Sequence, residues 1–133
     1  NTAIGHTAMY GLYAGENAAP SQNVSIGYDS MYYVIGASYN TVIGYQAGYK
    51  LKNNQNNTVV GHQALYTAEG SEHENVAIGN RAGRLIDNDA SADNVFVGFK
   101  AGQGGEGEID RCVAIGHQAM DGTTSHAVLK IFL

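Results

Sequence analysis

Residues 40–48 read Asn40-Thr41-Val42-Ile43-Gly44-Tyr45-Gln46-Ala47-Gly48, and residues 57–65 repeat them as Asn57-Thr58-Val59-Val60-Gly61-His62-Gln63-Ala64-Leu65. Outward from this pair the same string returns in both directions. Seven copies align on Gly5, Gly27, Gly44, Gly61, Gly79, Gly98 and Gly116, at spacings of 22, 17, 17, 18, 19 and 18 residues. A short unit recurring at this period indicates a solenoid. One copy makes one coil, which cannot bury its apolar face alone and gains stability by stacking on the next.

The columns of the alignment carry the local structure. One residue before the glycine stands Ile4, Ile26, Ile43, Val60, Ile78, Val97 or Ile115, and three before it stands Thr or Val. β-branched residues at alternate positions predict a strand with one buried face. On that reading Ile78 is fully buried, and a charge there prevents folding or assembly. The intervening column reads Ala3, Ser25, Val42, Val59, Ala77, Phe96 and Ala114, so the opposite face is apolar or small as well. A strand apolar on both faces is buried on both, and the second face calls for a neighbouring chain.

The glycine column predicts a bend or a close backbone approach. Four residues before it stand Asn1, Asn23, Asn40, Asn57, Asn75 and Asn94, with Cys112 in the last copy. Asparagine predicts a turn with positive φ, a side chain bonded to its own backbone, or a ladder of amides running from coil to coil. Three residues after the glycine the column is Ala, or Ser30 in the second copy, leaving room for another strand to pass close by. Seven parallel coils at about 4.8 Å each give a rod of about 33 Å. A helical bundle is excluded because Gly, Asn and β-branched residues recur where helices favour Ala, Leu, Glu and Lys.

Composition agrees. The chain of 133 residues is enough for one domain, with 44% hydrophobic but only 14% charged residues, 18 glycines and one proline. A net charge of −5 argues against nucleic acid, which requires a basic face. No apolar run approaches the roughly 20 residues of a membrane helix, and the only cysteine, Cys112, has no partner for a disulfide within the chain. No signal peptide is visible. The chain opens inside a repeat, as a piece of a longer protein would. Residues 1–120 form the repeat unit. Residues 121–133 leave the pattern, and their Ala-Val-Leu-Lys-Ile-Phe-Leu ending is expected to cap the open end of the rod.

The strings Asn-Val-Ala-Ile-Gly (75–79), Asn-Thr-Ala-Ile-Gly-His (1–6) and Val-Ala-Ile-Gly-His-Gln-Ala (113–119) resemble two families. They look like the repeat in head domains of trimeric autotransporter adhesins (YadA-like), and still more like the NTAIGYQAL-type repeats of bacteriophage tail fibres. The resemblance extends to about Met120. It implies a left-handed parallel β-roll, here of about seven coils, assembled as an intertwined or side-by-side homotrimer. The adhesin repeats are shorter, so the longer, irregular links here favour the tail-fibre branch and suggest projecting loops. Cys112 departs from the turn Asn, so the last coil is expected to be shaped differently.

Several residues are candidates for function. All nine tyrosines lie in the first half. Tyr10, Tyr32, Tyr49 and Tyr66 form a column five after the glycine. Together with Tyr13, Tyr33 and His126 they are the candidate receptor-binding residues, since an aromatic ring with a polar tip suits a sugar. Stacking between coils or between chains is the preferred structural reading of the column. Tyr28 and Tyr45, one after the glycine, are read as packing residues. Acids cluster at Glu69, Glu72 and Glu74, at Asp87, Asp89 and Asp93, and at Glu106, Glu108 and Asp110. The middle cluster spaces its oxygens like a calcium loop but lacks the central glycine and final Glu, and all three are read as solvated loops. His6, His62 and His117 follow the anchor glycine and would ring a trimer axis. That slot also accepts Tyr28, Asn80 and Phe99, so it is read as packing and no metal is assigned. Gly102, Gly104 and Gly107 match a phosphate-binding glycine pattern with no helix after it, and the sequons at Asn23 and Asn56 are incidental to the repeat.

The functional expectation is a non-catalytic phage tail-fibre segment. It is a trimeric rod on the virion that presents loops to bacterial surface polysaccharide or lipopolysaccharide, with no cofactor and no membrane insertion. The alternatives are the head of a trimeric adhesin on the bacterial outer surface and, less favoured, a polysaccharide depolymerase. The last needs two carboxylates set across a cleft, and the acids here sit in links.

Overall fold

The computed structural model describes residues 1–12, 19–70, 72–86, 91–104, 109–122, 127–128 and 131–132. They form an all-β parallel solenoid of about five turns. Its strands are β1 (Thr2–Ile4), β2 (Gly11–Leu12), β3 (Val24–Ile26), β4 (Tyr33–Val34), β5 (Thr41–Ile43), β6 (Thr58–Val60), β7 (Val76–Ile78), β8 (Val95–Val97), β9 (Ile109–Asp110), β10 (Val113–Ile115), β11 (Ala127–Val128) and β12 (Ile131–Phe132). The motif strands and β12 make one eight-stranded sheet in the order β1-β3-β5-β6-β7-β8-β10-β12, with β2-β4 and β9-β11 as smaller parallel pairs.

Register follows the motif column by column: Ala3 faces Ser25, Ser25 faces Val42, Val42 faces Val59, Val59 faces Ala77, Ala77 faces Phe96 and Phe96 faces Ala114. The unequal spacings do not disturb it, because the extra residues fall in one place. Where two coils are 17 apart, two residues separate the buried Leu51 and Asn54, whereas four separate Ile86 from Ser91.

The interior lies on the face opposite to the one expected. Ser25, Val42, Val59, Ala77, Phe96 and Ala114 are fully buried, whereas Ile4, Ile43, Ile78 and Ile115 are 56%, 37%, 39% and 42% exposed. The Ile/Val column is therefore the outer face of the single chain, and the fully buried Ile78 predicted from sequence is corrected. Alternation shows that a strand has two faces but not which way the coil closes. It closes on the small side because Ala47, Ala64, Ala82 and Ala101 stand opposite, also at zero exposure. Val34, Leu51, Ala68 and Ile86 complete the interior from the link. Volumes compensate across it: beside Phe96 stand Gly83 and Gly102, where an added Cβ would meet the ring. Ser30, the exception in the alanine column, hydrogen-bonds Ser25, the one polar residue of the inner strand column, which satisfies two buried hydroxyls at once.

The anchor glycines form the closest approach between coils. Each has φ between 125° and 141°, a region that L-residues avoid. A Cβ on Gly61 would lie 2.7 Å from the carbonyl carbon of Gly79 and closer still to its oxygen. The asparagines form the expected ladder. Asn40 Oδ1 accepts from the backbone N–H of Asn57 (2.9 Å) and from its Nδ2 (3.0 Å), while Asn40 Nδ2 donates to Asn54 O (2.8 Å). The same set recurs from Asn23 to Asn94. Positive φ falls not on the Asn but on the residue before it, at Gln22, Tyr39, Asn56, Glu74, Asp93 and Arg111. That geometry turns the amide inward. Cys112 N–H still bonds Asn94 Oδ1 (2.9 Å), and its Sγ bonds Asp110 O (3.3 Å).

The final segment loses the motif yet keeps the period. Val113 pairs with Ile131 and Ile109 with Ala127, each 18 residues apart. The sheet thus continues one strand beyond β10.

Candidate functional site

Because the coils stay in register, any residue type repeated in a column becomes a row along the rod, and the tyrosines form the most continuous one. Tyr10 stacks on Tyr32, Tyr32 on Tyr49 and Tyr49 on Tyr66, with ring centroids 5.4, 5.3 and 4.9 Å apart. The coil spacing of about 4.8 Å is close to the separation stacked aromatics favour. The row continues past the last tyrosine, as the Arg84 guanidinium lies 5.3 Å from the Tyr66 centroid, a cation–π contact. Tyr33 stands across this row, its ring nearly perpendicular to Tyr32 and Tyr49 with centroids 4.8 and 5.4 Å away. Tyr10 is 67% exposed and Tyr33 39%. Five candidate residues are thus brought together, and Tyr13 and His126 lie outside the described residues.

Tyr33 also borders a cavity of about 240 Å³ whose other walls are Lys50, Lys52 and Glu69. Glu69 bridges both lysines, through Oε1 to Lys50 and through Oε2 to Lys52 at 2.7 Å. Hydrogen bonds from Lys50 and then Lys52 hold its carboxyl below the ordinary carboxylate range. Lys50 and Lys52 were not singled out from sequence, and Glu69 was read there only as part of a solvated acidic cluster. The available signal was positional: Tyr33 and Lys50 share the column six after the glycine, and Lys52 and Glu69 share the column eight after it.

The reading of the acids as solvated loops holds only in part. Glu74 and Asp93 are exposed, but Glu69 is tied into the cavity wall. Glu72 is fully buried and accepts from Asn54 Nδ2 (2.9 Å). It occupies an inward column held elsewhere by Ala37, Ser91 and Ile109, so the coil geometry fixes its position. Asp87, Asp89, Glu106, Glu108 and Gly107 lie outside the described residues.

The column after the anchor glycine forms a second row on the outer face. His6, Tyr28, Tyr45 and His62 stack in order at 5.1, 5.3 and 5.1 Å; Asn80 interrupts, and Phe99 stacks on His117 at 5.0 Å. Among the described residues no group of three or more His, Cys, Asp or Glu is placed to hold a metal ion.

The tyrosine row has a consequence in alkali. Burial, reinforced by neighbouring phenols, first Tyr33 and then Tyr66, pushes Tyr49 up to about 12 from 10.0. Between pH 10 and 12 the folded chain keeps a proton that the unfolded chain releases, so the unfolded state binds fewer protons and stability falls as pH rises. This contribution is complete below pH 10 and lost towards 12. Urea midpoints measured across that range should fall, and Tyr49→Phe should flatten the decline. An equal decline in the variant would refute the assignment.

Neither family models, curated proteins nor solved structures show a significant match to this chain.

Proposed function

We propose that the chain is a non-catalytic, receptor-binding segment of a bacteriophage tail fibre, in which three copies, each a left-handed roll of seven coils, form a rod that meets bacterial surface glycan. The observation that carries this reading is the outer stripe. Ile4, Ile43, Ile78 and Ile115 are exposed in a line beside Tyr28, Tyr45 and Phe99, each 41–46% exposed. A soluble monomer seldom shows so long an apolar row. A threefold arrangement would bury one stripe per chain against the others about a common axis, a closed symmetry that neither adds open edges nor polymerises. The resemblance of the repeat to tail-fibre sequences supports the same assembly. The tyrosine row and its cavity lie elsewhere on the coil, and three copies per rod, with many rods per particle, would turn weak contacts into strong attachment.

Molar mass by light scattering, followed by binding to whole bacterial cells, tests the proposal. A trimer that binds cells is the expected result. A folded monomer, or a trimer that binds no glycan-bearing cell, would overturn it. Ile78→Asp sharpens the first step. The substitution leaves the inner column untouched and places three carboxylates at the shared contact, where desolvation without partners is costly. The expected product is a folded monomer with its β-sheet circular dichroism retained. An undiminished trimer would mean that the Ile/Val stripe is not the contact.

A further inference from the structure

The cavity between Tyr33, Lys50, Lys52 and Glu69 combines features that no other described part of the surface brings together. It is concave, with a volume of about 240 Å³. One wall is an exposed aromatic ring, held rigidly because it is wedged perpendicular to two rings of the tyrosine row. The rest of the wall carries the Lys50 and Lys52 ammonium groups, joined by the Glu69 carboxylate. The Lys52 ammonium has three N–H donors, and one is taken by Glu69 at 2.7 Å.

We infer that this cavity is the subsite for an acidic sugar, a hexuronate-type ring whose apolar face lies on Tyr33 and whose carboxylate is held by Lys52 and Lys50. The inference rests on the receptor-binding reading above and narrows it to a ligand class. A pyranose ring has one face of C–H groups that packs on an aromatic ring, while its hydroxyls need donors and acceptors at the rim. Glu69 performs two functions here. It holds the two ammonium groups side by side, and it accepts from sugar hydroxyls once a second carboxylate shares the lysines. A neutral sugar would gain the ring contact but not the charge-assisted bonds. A free inorganic anion would gain the charge but not the ring. Selectivity for a sugar bearing a carboxylate follows from requiring both. The site lies at the meeting of three consecutive coils, so it exists only when the stack is in register.

The test is titration of the assembled protein with a short oligogalacturonate, its methyl ester and inorganic phosphate, followed by NMR shifts or calorimetry. The acidic oligomer should bind at least about tenfold more tightly than the ester or phosphate. Lys52→Met and Tyr33→Leu should each weaken it by about tenfold or more, with circular dichroism and molar mass unchanged. Asp93→Asn, at an exposed residue that is not part of the cavity walls, should leave it unaltered. Equal affinity for acid and ester, phosphate competing as well as the oligomer, no binding of the oligomer, or a Lys52→Met protein that binds normally would each overturn the inference. Cell binding separates this failure from that of the parent reading: a fibre that attaches to cells equally with and without Lys52 retains its receptor function and loses only this subsite.

Discussion

Gly61→Ala should abolish the stacked fold, with an expected loss of about 4 kcal/mol or more, a large part of the stability of an ordinary domain. Two costs coincide. The residue sits at φ 141°, where an L side chain is strained by about 1–3 kcal/mol. The new methyl would also meet the Gly79 carbonyl group, whose carbon would be 2.7 Å away. That partner is backbone and cannot rotate aside. Separating the two coils would break the bonds on either side, including Gly79 N–H to Val60 O at 2.8 Å and Arg81 N–H to His62 O at 2.9 Å. Gly48→Ala provides the contrast. Its φ of 54° is one that Leu65 and Met31 adopt in the same column, and the nearest atom to an added Cβ is a Val42 methyl at 3.2 Å. The expected loss there is about 1–2 kcal/mol. Urea denaturation of the two variants decides the matter. If they are equally damaged, the carbonyl approach is not what makes the anchor glycines obligatory.

Asn57→Ala should cost about 3 kcal/mol although it removes no apolar surface. Asn57 Oδ1 accepts from the backbone N–H and Nδ2 of Asn75 at 2.9 and 3.2 Å, and its Nδ2 donates to Asn40 Oδ1 and Glu72 O, both at 3.0 Å. Alanine would orphan several of these groups in the buried interior, at about 1–3 kcal/mol for each one left unsatisfied. Asn1 is exposed: its Oδ1 accepts from Asn23 and its Nδ2 donates to Pro20 O at the surface, where water can replace a lost partner. Asn1→Ala should therefore cost about 1 kcal/mol or less. The pair Asn40→Ala and Asn57→Ala should be non-additive, because each leaves the other's partner unmade. An Asn57→Ala protein within about 0.5 kcal/mol of the parent would mean that the ladder is geometry without energy.

Much of this was legible in the order of residues. The strand, the need for glycine at the coil contact and the amide ladder all follow from column identities, because stacking in register turns a repeated residue into a repeated contact. Even the Ser25 and Ser30 pair was visible, as two exceptions in one copy. The tyrosine row was legible as a column, but its continuation by Arg84 was not, because a cation replaces a ring only when the stacking distance is known. The cavity was not legible either. Its walls come from three coils and two columns, and no single repeat contains them.

By itself the sequence determined the coil period and the parallel register, because those depend on identity at fixed spacing. Only the tertiary structure decided which face of each strand is inside. Both faces are apolar, so burial preference alone could not choose. The coil closed on the column that packs against alanine and glycine, with Phe96 against Gly83 and Gly102, and it left the Ile/Val column facing outward.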